Sequence, residues 1–269
     1  MDQEQLTLME ANDHWKNATR VNVDDQSLRP TARDPNLQAV VETTMGKWLQ
    51  PTATLLDVGC GDEVSTLFFA KRVHHVMGID FIDDYIDNAQ KNAAALKIAN
   101  ANFEIGNVLD LKRLREKRAT FDIVITIRCL INLVSWSIQT KALEEIAACV
   151  KPGGLYMTSE GWQEGLDSLN LRRQRIGLPA IEVAKYNRMI PRARFEEEAR
   201  KYLELVDYIS IGLYLFLSRV VHPCYVAPDA PQHQHPFNKV AAELQIQSVF
   251  GDEFFDCDYA GIYIFRRLG

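Results

Sequence analysis

Between Pro35 and Glu160 the chain alternates short apolar runs with stretches of helical spacing. Residues 1–32 are polar and show no clear period. Pro30 and Pro35 bracket a short turn, and Asp34 is placed to cap a helix over about 36–49 with a proline at its first position. ATLLDVGC (53–60) is a buried apolar run that ends at glycine, and VHHVMGID is a second run, ending at Asp80. Asp83 or Asp84 is positioned to cap a helix through about Lys97. ANFEIGNVLD reads as strand then loop, and FDIVITIRCL, rich in β-branched residues, as another strand. Residues 137–150 have helical apolar spacing, KPGG at 151–154 terminates that helix, and LYMTSE is the next strand. Short apolar strands alternating with helices predict an α/β fold with a parallel sheet covered on both faces.

Beyond Glu160 the pattern changes. Residues 161–190 carry few strand signals and read as helix and loop. PRARFEEEARKYL is expected to be a helix, and LELVDYISIGLYLFLSRV (203–220) to hold one or two strands. A loop rich in proline and histidine follows at 222–236, then a helix near 237–249, then a final strand in AGIYIFRRL. No repeat and no linker divides the chain, so a single domain over 1–269 is expected.

Composition narrows the function classes. Of the 269 residues, 47% are hydrophobic and 25% charged, which is ordinary globular usage and excludes long disorder and coiled-coil character. No run of about 18 apolar residues occurs, so no transmembrane helix is expected. The acidic start MDQEQLTLMEANDHWKN lacks the apolar run of a signal peptide. The 5 cysteines (60, 129, 149, 224 and 257) are scattered and include no Cys-x-x-Cys, which suits a reducing cytoplasm and argues against a disulfide frame or a zinc site. A net charge of −6 makes nucleic acid an unfavoured general partner.

The strongest chemical signal is Leu55-Leu56-Asp57-Val58-Gly59-Cys60-Gly61-Asp62. A buried strand runs into glycines and then into a helix expected over about Ser65 to Arg72. Glycine lets a backbone turn sharply and lets a ligand approach where a Cβ would clash, and the carboxyl end of such a strand is the ligand crevice of doubly wound sheets. Asp80, 19 residues after Gly61, ends the second strand, where a carboxylate can accept from both hydroxyls of a ribose. The dinucleotide alternative is disfavoured. It requires a third glycine, where this chain has Val64, and the Asp62-Glu63 pair would repel a pyrophosphate.

These motifs resemble those of class I S-adenosylmethionine-dependent methyltransferases, over about residues 36–160. The resemblance implies a doubly wound, seven-stranded, mainly parallel sheet whose last strand, about 261–267, is antiparallel. It divides the domain into an N-terminal cap (1–35), a cofactor-binding core (36–160), substrate-side inserts (161–250) with active-site cover at 161–190 and 211–250, and a final strand (251–269). It implies that Asp57, Gly59 and Gly61, with Cys60 between them, wrap the amino-acid end of the cofactor. Asp80, with Phe81 beside it, would hold the ribose. Asn107, followed by Val108, takes the place near the adenine amine where many relatives carry aspartate. The strand-four motif matches FDIVITIRCLINL, and the turn before strand five matches 151–154. The base-modifying Asn/Asp-Pro-Pro-Tyr motif is absent, since the fourth strand ends in TIRC.

The implied function is methyl transfer from S-adenosylmethionine, leaving S-adenosylhomocysteine, to an oxygen or nitrogen of a small molecule or glycan. An RNA or protein acceptor, or a catalytically silent cofactor-binding partner protein, are the alternatives. Holding an acceptor in line with the methyl group is mainly a task of orientation, and a hydroxyl acceptor also gains from a base. Arg128 and Asn132 follow strand four, and either lines the acceptor pocket or the methionine end of the cofactor, or serves a structural role. Glu160, ending strand five, faces the same crevice by topology as a general base, a binder of a substrate cation, or an ordinary solvated carboxylate. Residues 166–194 hold seven basic against two acidic side chains, an asymmetry that would steer an anionic acceptor. Arg173, Asn170 and Asn187 in this segment are substrate-binding candidates, as are Tyr214 and Arg219, placed on an apolar strand. Arg33, with Trp15 before it, is positioned to pair with the cofactor carboxylate or with Asp34 or Glu42. His233 and His235 have no carboxylate at ligand spacing and read as a solvated loop rather than a metal site. His74 and His75 read as packing or edge residues.

Overall fold

A computed structural model of the chain describes Glu10 and residues 13–17, 34–118, 120–248 and 255–269. Helix α1 (Pro35–Gly46) leads into β1 (Thr54–Val58), α2 (Val64–Ala70), β2 (His75–Asp80), α3 (Asp83–Ala95) and β3 (Ala101–Ile105). Then come α4 (Lys112–Arg118), β4 (Phe121–Ile127), α5 (Trp136–Cys149) and β5 (Val150–Ser159). The second half adds α6 (Gln163–Arg175), α7 (Arg192–Ala199), β6 (Leu203–Ile209), α8 (Gly212–Phe216), α9 (His222–Val226), α10 (Pro236–Ile246) and β7 (Ile262–Arg267).

The strands form one seven-stranded sheet in the order β3-β2-β1-β4-β5-β7-β6. β1 to β5 pair in parallel, and β7 runs antiparallel between β5 and β6. This is the doubly wound, mainly parallel sheet expected, with its last strand reversed. Alternate residues of β1, β2, β4, β5 and β7 feed two cores. Leu56, Val58 and Val124 pack with α5 and α7 through Leu143, Ile146 and Phe195. Leu55, Ile123 and Ile125 pack with α1, α8 and α10 through Val40, Met45, Leu215 and Ala241. Fully burying one such side chain is worth roughly 1.5–3 kcal/mol, so both faces hold the sheet.

Asp34 caps α1 as the sequence predicts, accepting from the backbone N–H groups of Asn36 and Leu37 at 3.1 Å each. Asp83 and Asp84 do not cap α3. They lie in its first turn behind Ile82, where their charge complements the helix dipole. The KPGG turn is also displaced. Phe121 pairs with Val150 and Ile123 with Leu155, so residues 151–154 bulge out within β5 rather than precede it.

The largest departure is at 211–226. The apolar run LYLFLSRV is helical, with a π-type turn over Leu217–Val221, and the first residues of the expected loop at 222–236 form α9. Tyr214 and Arg219 therefore lie on this helical segment and not on a strand. The run has no alternation, so its apolar content fits either element. Packing decides it, because α10 lies alongside and its Gln245 accepts from the Tyr214 N–H at 3.1 Å and donates to the Ser210 carbonyl at 3.0 Å.

Asp258 ties this insert to the sheet. Fully buried, it accepts from Tyr208 Oη (2.9 Å) and from the N–H groups of Ile211 (3.0 Å) and Ala260 (3.2 Å). α6 packs directly on its backbone, and a Cβ added at Gly165 would run into the Asp258 carbonyl. Gly165→Ala is therefore expected to destabilise the protein by about 1–3 kcal/mol, read as a lowered urea midpoint with an unchanged slope.

Candidate active site

The turn after β1 is built on left-handed backbone. Gly59 has φ +76° and Gly61 φ +51°, a region glycine enters without steric cost. The N–H groups of Gly59 and Cys60 donate to the Ile79 carbonyl at 2.8 and 3.0 Å, bending the turn back over β2. Asp80 completes the junction. One carboxylate oxygen accepts from the Gly61 N–H and the other from the Ile82 N–H, both at 3.0 Å. Burial raises its pKa, and these N–H groups offset only part of that.

Asp57 lies beneath the turn. It is 2% exposed and accepts from Thr66 Oγ1 at 2.5 Å. Burial, with the Asp80 and Glu42 charges nearby, pushes its pKa up to about 7. Cys60 is buried, and burial holds its thiol protonated. Tyr85 of α3 was not singled out by the sequence. Its hydroxyl is buried without a hydrogen-bond partner, and its pKa is raised by burial and by the Asp62 and Asp80 charges. The signal that could have found it is its inward position on the helix that follows the Asp80 strand. Phe81 is exposed at the mouth. Asn107 is exposed, and its Oδ1 accepts from the Leu109 N–H at 2.9 Å, with Val108 half-buried between them.

The turn after β4 faces the glycine turn, and a Cβ added at Gly59 would meet Cys129 Sγ at 2.7 Å. Arg128 is exposed with φ +56°, an uncommon conformation for a residue with a Cβ. Its N–H donates to the Ser159 carbonyl at 2.8 Å, and its own carbonyl accepts from Asn132 Nδ2 at 2.7 Å. Asn132 Oδ1 is buried and has no partner. Glu160 is not the solvated group in an open crevice that topology suggests. It is 1% exposed and lies under this turn, accepting from the N–H groups of Cys129 (3.2 Å) and Ile131 (3.1 Å). Burial raises its pKa to about 7, against the pull of those N–H groups.

The inserts enclose a separate cavity of about 290 Å³, lined by Arg173, Ser218, Arg219, His222, His233 and Tyr259 among others. Two predicted substrate residues, Arg173 and Arg219, meet there. Tyr214 lies behind it, its hydroxyl donating to Asp34, which also pairs with Arg219. Asn170 is placed otherwise. It brackets Ile181, accepting from its N–H at 2.8 Å and donating to its carbonyl at 3.2 Å. Asn187 is half-buried in the following loop. The basic segment does not form one patch, since Arg172 pairs with Asp256, Lys185 with Glu10, and Arg194 stacks on Trp136.

His233 Nδ1 lies 3.7 Å from Asp34, and His235 caps α10 by accepting from the Phe237 N–H at 3.2 Å, so both histidines are tied into the fold. His74 is exposed and His75 half-buried at the start of β2. Trp15 stacks edge-on against His14, and Arg33 lies outside the described residues.

The glycine turn fits S-adenosylmethionine. Asp80 and the unpartnered Tyr85 hydroxyl offer polar contacts, and the surrounding carboxylates suit a cation better than a phosphate. Comparison with known proteins agrees. An uncharacterized methyltransferase of Schizosaccharomyces pombe is 32% identical over 126 residues, which are 44% of this chain and 43% of that protein. The chain spans less than half the length of the first curated relatives it matches. The fold recurs in the protein solved with the Haloferax volcanii Trm112 methyltransferase activator, with a TM-score of 0.59 at 14% identity over 95% of this chain and 98% of that one. It recurs in the N-methyltransferase NodS of Bradyrhizobium japonicum WM9, solved with S-adenosyl-L-homocysteine, with a TM-score of 0.56 at 12% identity over 96% and 98% of the two chains. Residues 49–204, from the end of α1 through the glycine turn and Glu160 to the start of β6, match the methyltransferase domain family, and the chain belongs to that family.

Proposed function

We propose that this protein transfers a methyl group from S-adenosylmethionine to an oxygen or nitrogen of a small-molecule acceptor. The observation that carries the reading is the junction of Asp80 with Gly61 and Ile82, which sets a carboxylate and two left-handed glycines at the carboxyl ends of β1 and β2. A small acceptor is favoured over a macromolecule because the segments after β5 line a cavity of about 290 Å³, a size that takes a small organic molecule. Its acceptor is anionic, on the charge of that cavity's lining.

The cofactor supplies an electrophilic methyl group on a sulfonium that is a good leaving group. Transfer would form the acceptor–carbon bond as the carbon–sulfur bond breaks, with the acceptor's proton passing to solvent. The chain's own work is to hold and orient. Asp57, Gly59, Cys60 and Gly61 form the floor of the cofactor site. Asp80, with Phe81 beside it, would take the ribose hydroxyls, and Asn107 and Val108 would lie near the adenine. Arg128 and Asn132 border the reacting end. Glu160 acts as a positioning residue, because it is 1% exposed beneath the turn that carries Arg128 and Asn132 and accepts from that turn's N–H groups.

Asp80→Ala is expected to weaken S-adenosylhomocysteine binding at least tenfold in a calorimetric titration. Two charge-assisted hydrogen bonds at about 1.5–3 kcal/mol each stand behind that figure. Equal binding by the variant removes Asp80 from the ribose. Retained binding with no methylated product from any acceptor class favours a silent or partner-activated protein, and product on RNA or a protein moves the acceptor there.

Arg128→Gly separates strain from function. Relief of the left-handed backbone at a solvent-exposed residue stabilises the chain by about 1 kcal/mol, while turnover falls. A lowered melting temperature contradicts the strain, and unchanged turnover contradicts the role given to Arg128.

The pKa shifts set a pH dependence. Asp57 and Glu160 titrate near about 7 in the folded chain, above their ordinary values of 3.8 and 4.5. The folded state therefore holds protons that the unfolded state has released. The stability they add is full below the unfolded values and lost as pH rises through about 7. The urea midpoint of the cofactor-free protein is expected to fall between about pH 5 and about pH 8. In Glu160→Gln that fall is smaller, whatever its absolute stability.

A further inference from the structure

The cavity under α6 and α9 surrounds an arginine that no carboxylate balances among the described residues. Arg173 is 8% exposed and has no carboxylate partner among the described residues. Its Nε donates to the Pro179 carbonyl at 2.8 Å and its Nη1 to the Arg219 carbonyl, which leaves Nη2 without an acceptor among the described residues. Arg219 beside it is neutralised. All three of its nitrogens are engaged, by Asp34, Ser218 Oγ and Tyr259 Oη. Asp34 is held ionised, since the Arg219 charge and hydrogen bonds outweigh the effect of its burial.

His222 supplies an independent pointer to a ligand. It is fully buried, lines the cavity, and its Nε2 has no partner. Asn238 Nδ2 faces the Gln232 and His233 carbonyls at 3.0 and 3.2 Å, so it is the amide nitrogen that approaches His222 Nδ1 at 3.3 Å. Nδ1 is then the acceptor, and the neutral ring carries its proton on Nε2. Tyr259 Oη accepts from Arg219 Nε at 3.3 Å, so its own proton is also available. Ser218 is spent on the Tyr214 carbonyl at 2.7 Å. The lining thus offers Arg173 Nη2, His222 Nε2–H and Tyr259 O–H as donors, with one net positive charge. A buried charge without a counter-ion is costly, and an anion restores the balance. One positive charge and three donors suit a carboxylate, with two oxygens and a single charge, better than a phosphate dianion.

We propose that this cavity binds the carboxylate of a small organic acid through Arg173, His222 and Tyr259. As an acceptor site it rests on the methyl-transfer reading; as a carboxylate site it stands without it. The test uses the full chain and benzoate as probe, with benzamide and inorganic phosphate as controls, followed by calorimetry. Benzoate is expected to bind, benzamide not to bind, and phosphate to bind more weakly. Arg173→Met is expected to weaken benzoate at least tenfold, and Tyr259→Phe several-fold, with S-adenosylhomocysteine affinity within twofold of wild type in both. That last readout reports the fold and the cofactor site separately, so loss of cofactor binding in wild type overturns the methyl-transfer reading and not this one. No benzoate binding to wild type, equal binding by Arg173→Met, or tighter binding of phosphate each overturns the carboxylate assignment. Mass analysis of a panel of hydroxy and amino acids incubated with S-adenosylmethionine then identifies the source. Methylated product that Arg173→Met forms only at raised KM makes the acid group the acceptor's own. Acids that bind and are recovered unchanged make the pocket a site for a separate acid. Both outcomes keep the site.

Discussion

A backbone N–H buried without a partner costs about 1–3 kcal/mol, and the carboxyl edge of this sheet meets that demand with carboxylates. Turns at the ends of parallel strands point N–H groups inward, where neither a neighbouring strand nor water receives them. Asp80 receives Gly61 and Ile82, Glu160 receives Cys129 and Ile131, and Asp258 receives Ile211 and Ala260. Each acid joins two segments or fixes one turn, and each is nearly or fully buried. The glycine turn, the Arg128 turn and the insert that closes the far side are therefore held by the same device. Positions that an exposed loop would leave loose are set to within a hydrogen bond.

The device has an electrostatic consequence. Burial raises the pKa of Asp57, Asp80, Glu160 and Asp258 alike. These groups are poorly solvated anions or retained protons, and a positive charge brought among them is stabilised in a medium of low dielectric. A pyrophosphate at the same turn would add negative charge to the cluster. The choice between a sulfonium cofactor and a dinucleotide is thus made by the acids under the turn as much as by the missing third glycine.

Much of this was legible in the sequence, wherever the signal is local. The glycine turn, the Asp34 cap, Asp80 at the end of β2 and the alternation of strand and helix each depend on neighbours a few residues away. What was not legible depends on distant partners. Arg219 meets Asp34 across 185 positions, and no periodicity predicts that. The run at 211–220 is apolar without alternation, and α10 decided that it is a helix. Glu160 was identified as a residue of the crevice, but only the fold of the β4 turn over it reveals that both oxygens are already engaged. Tyr85 carried no motif at all, and its hydroxyl stands out only because the pocket leaves it unpartnered.

The glycine turn and the insert cavity carry opposite charge, and this bears on the direction of the proposed reaction. Acids surround the glycine turn, and an unbalanced arginine lies in the insert cavity. Asp34 caps α1 and pairs with Arg219, so it balances that arginine and leaves Arg173 as the charge of the cavity. A cationic cofactor and an anionic acceptor would each be drawn to its own end, so that binding itself orders the two molecules before any bond changes. Methyl transfer removes the positive charge from sulfur. The product cofactor is neutral there and loses the attraction that favoured its charged form, while an acid group held as proposed would keep its contact with Arg173. Differential binding of this kind assists turnover only where it distinguishes the reacting state from what precedes and follows it, and a charge that exists before transfer and vanishes after it provides that distinction.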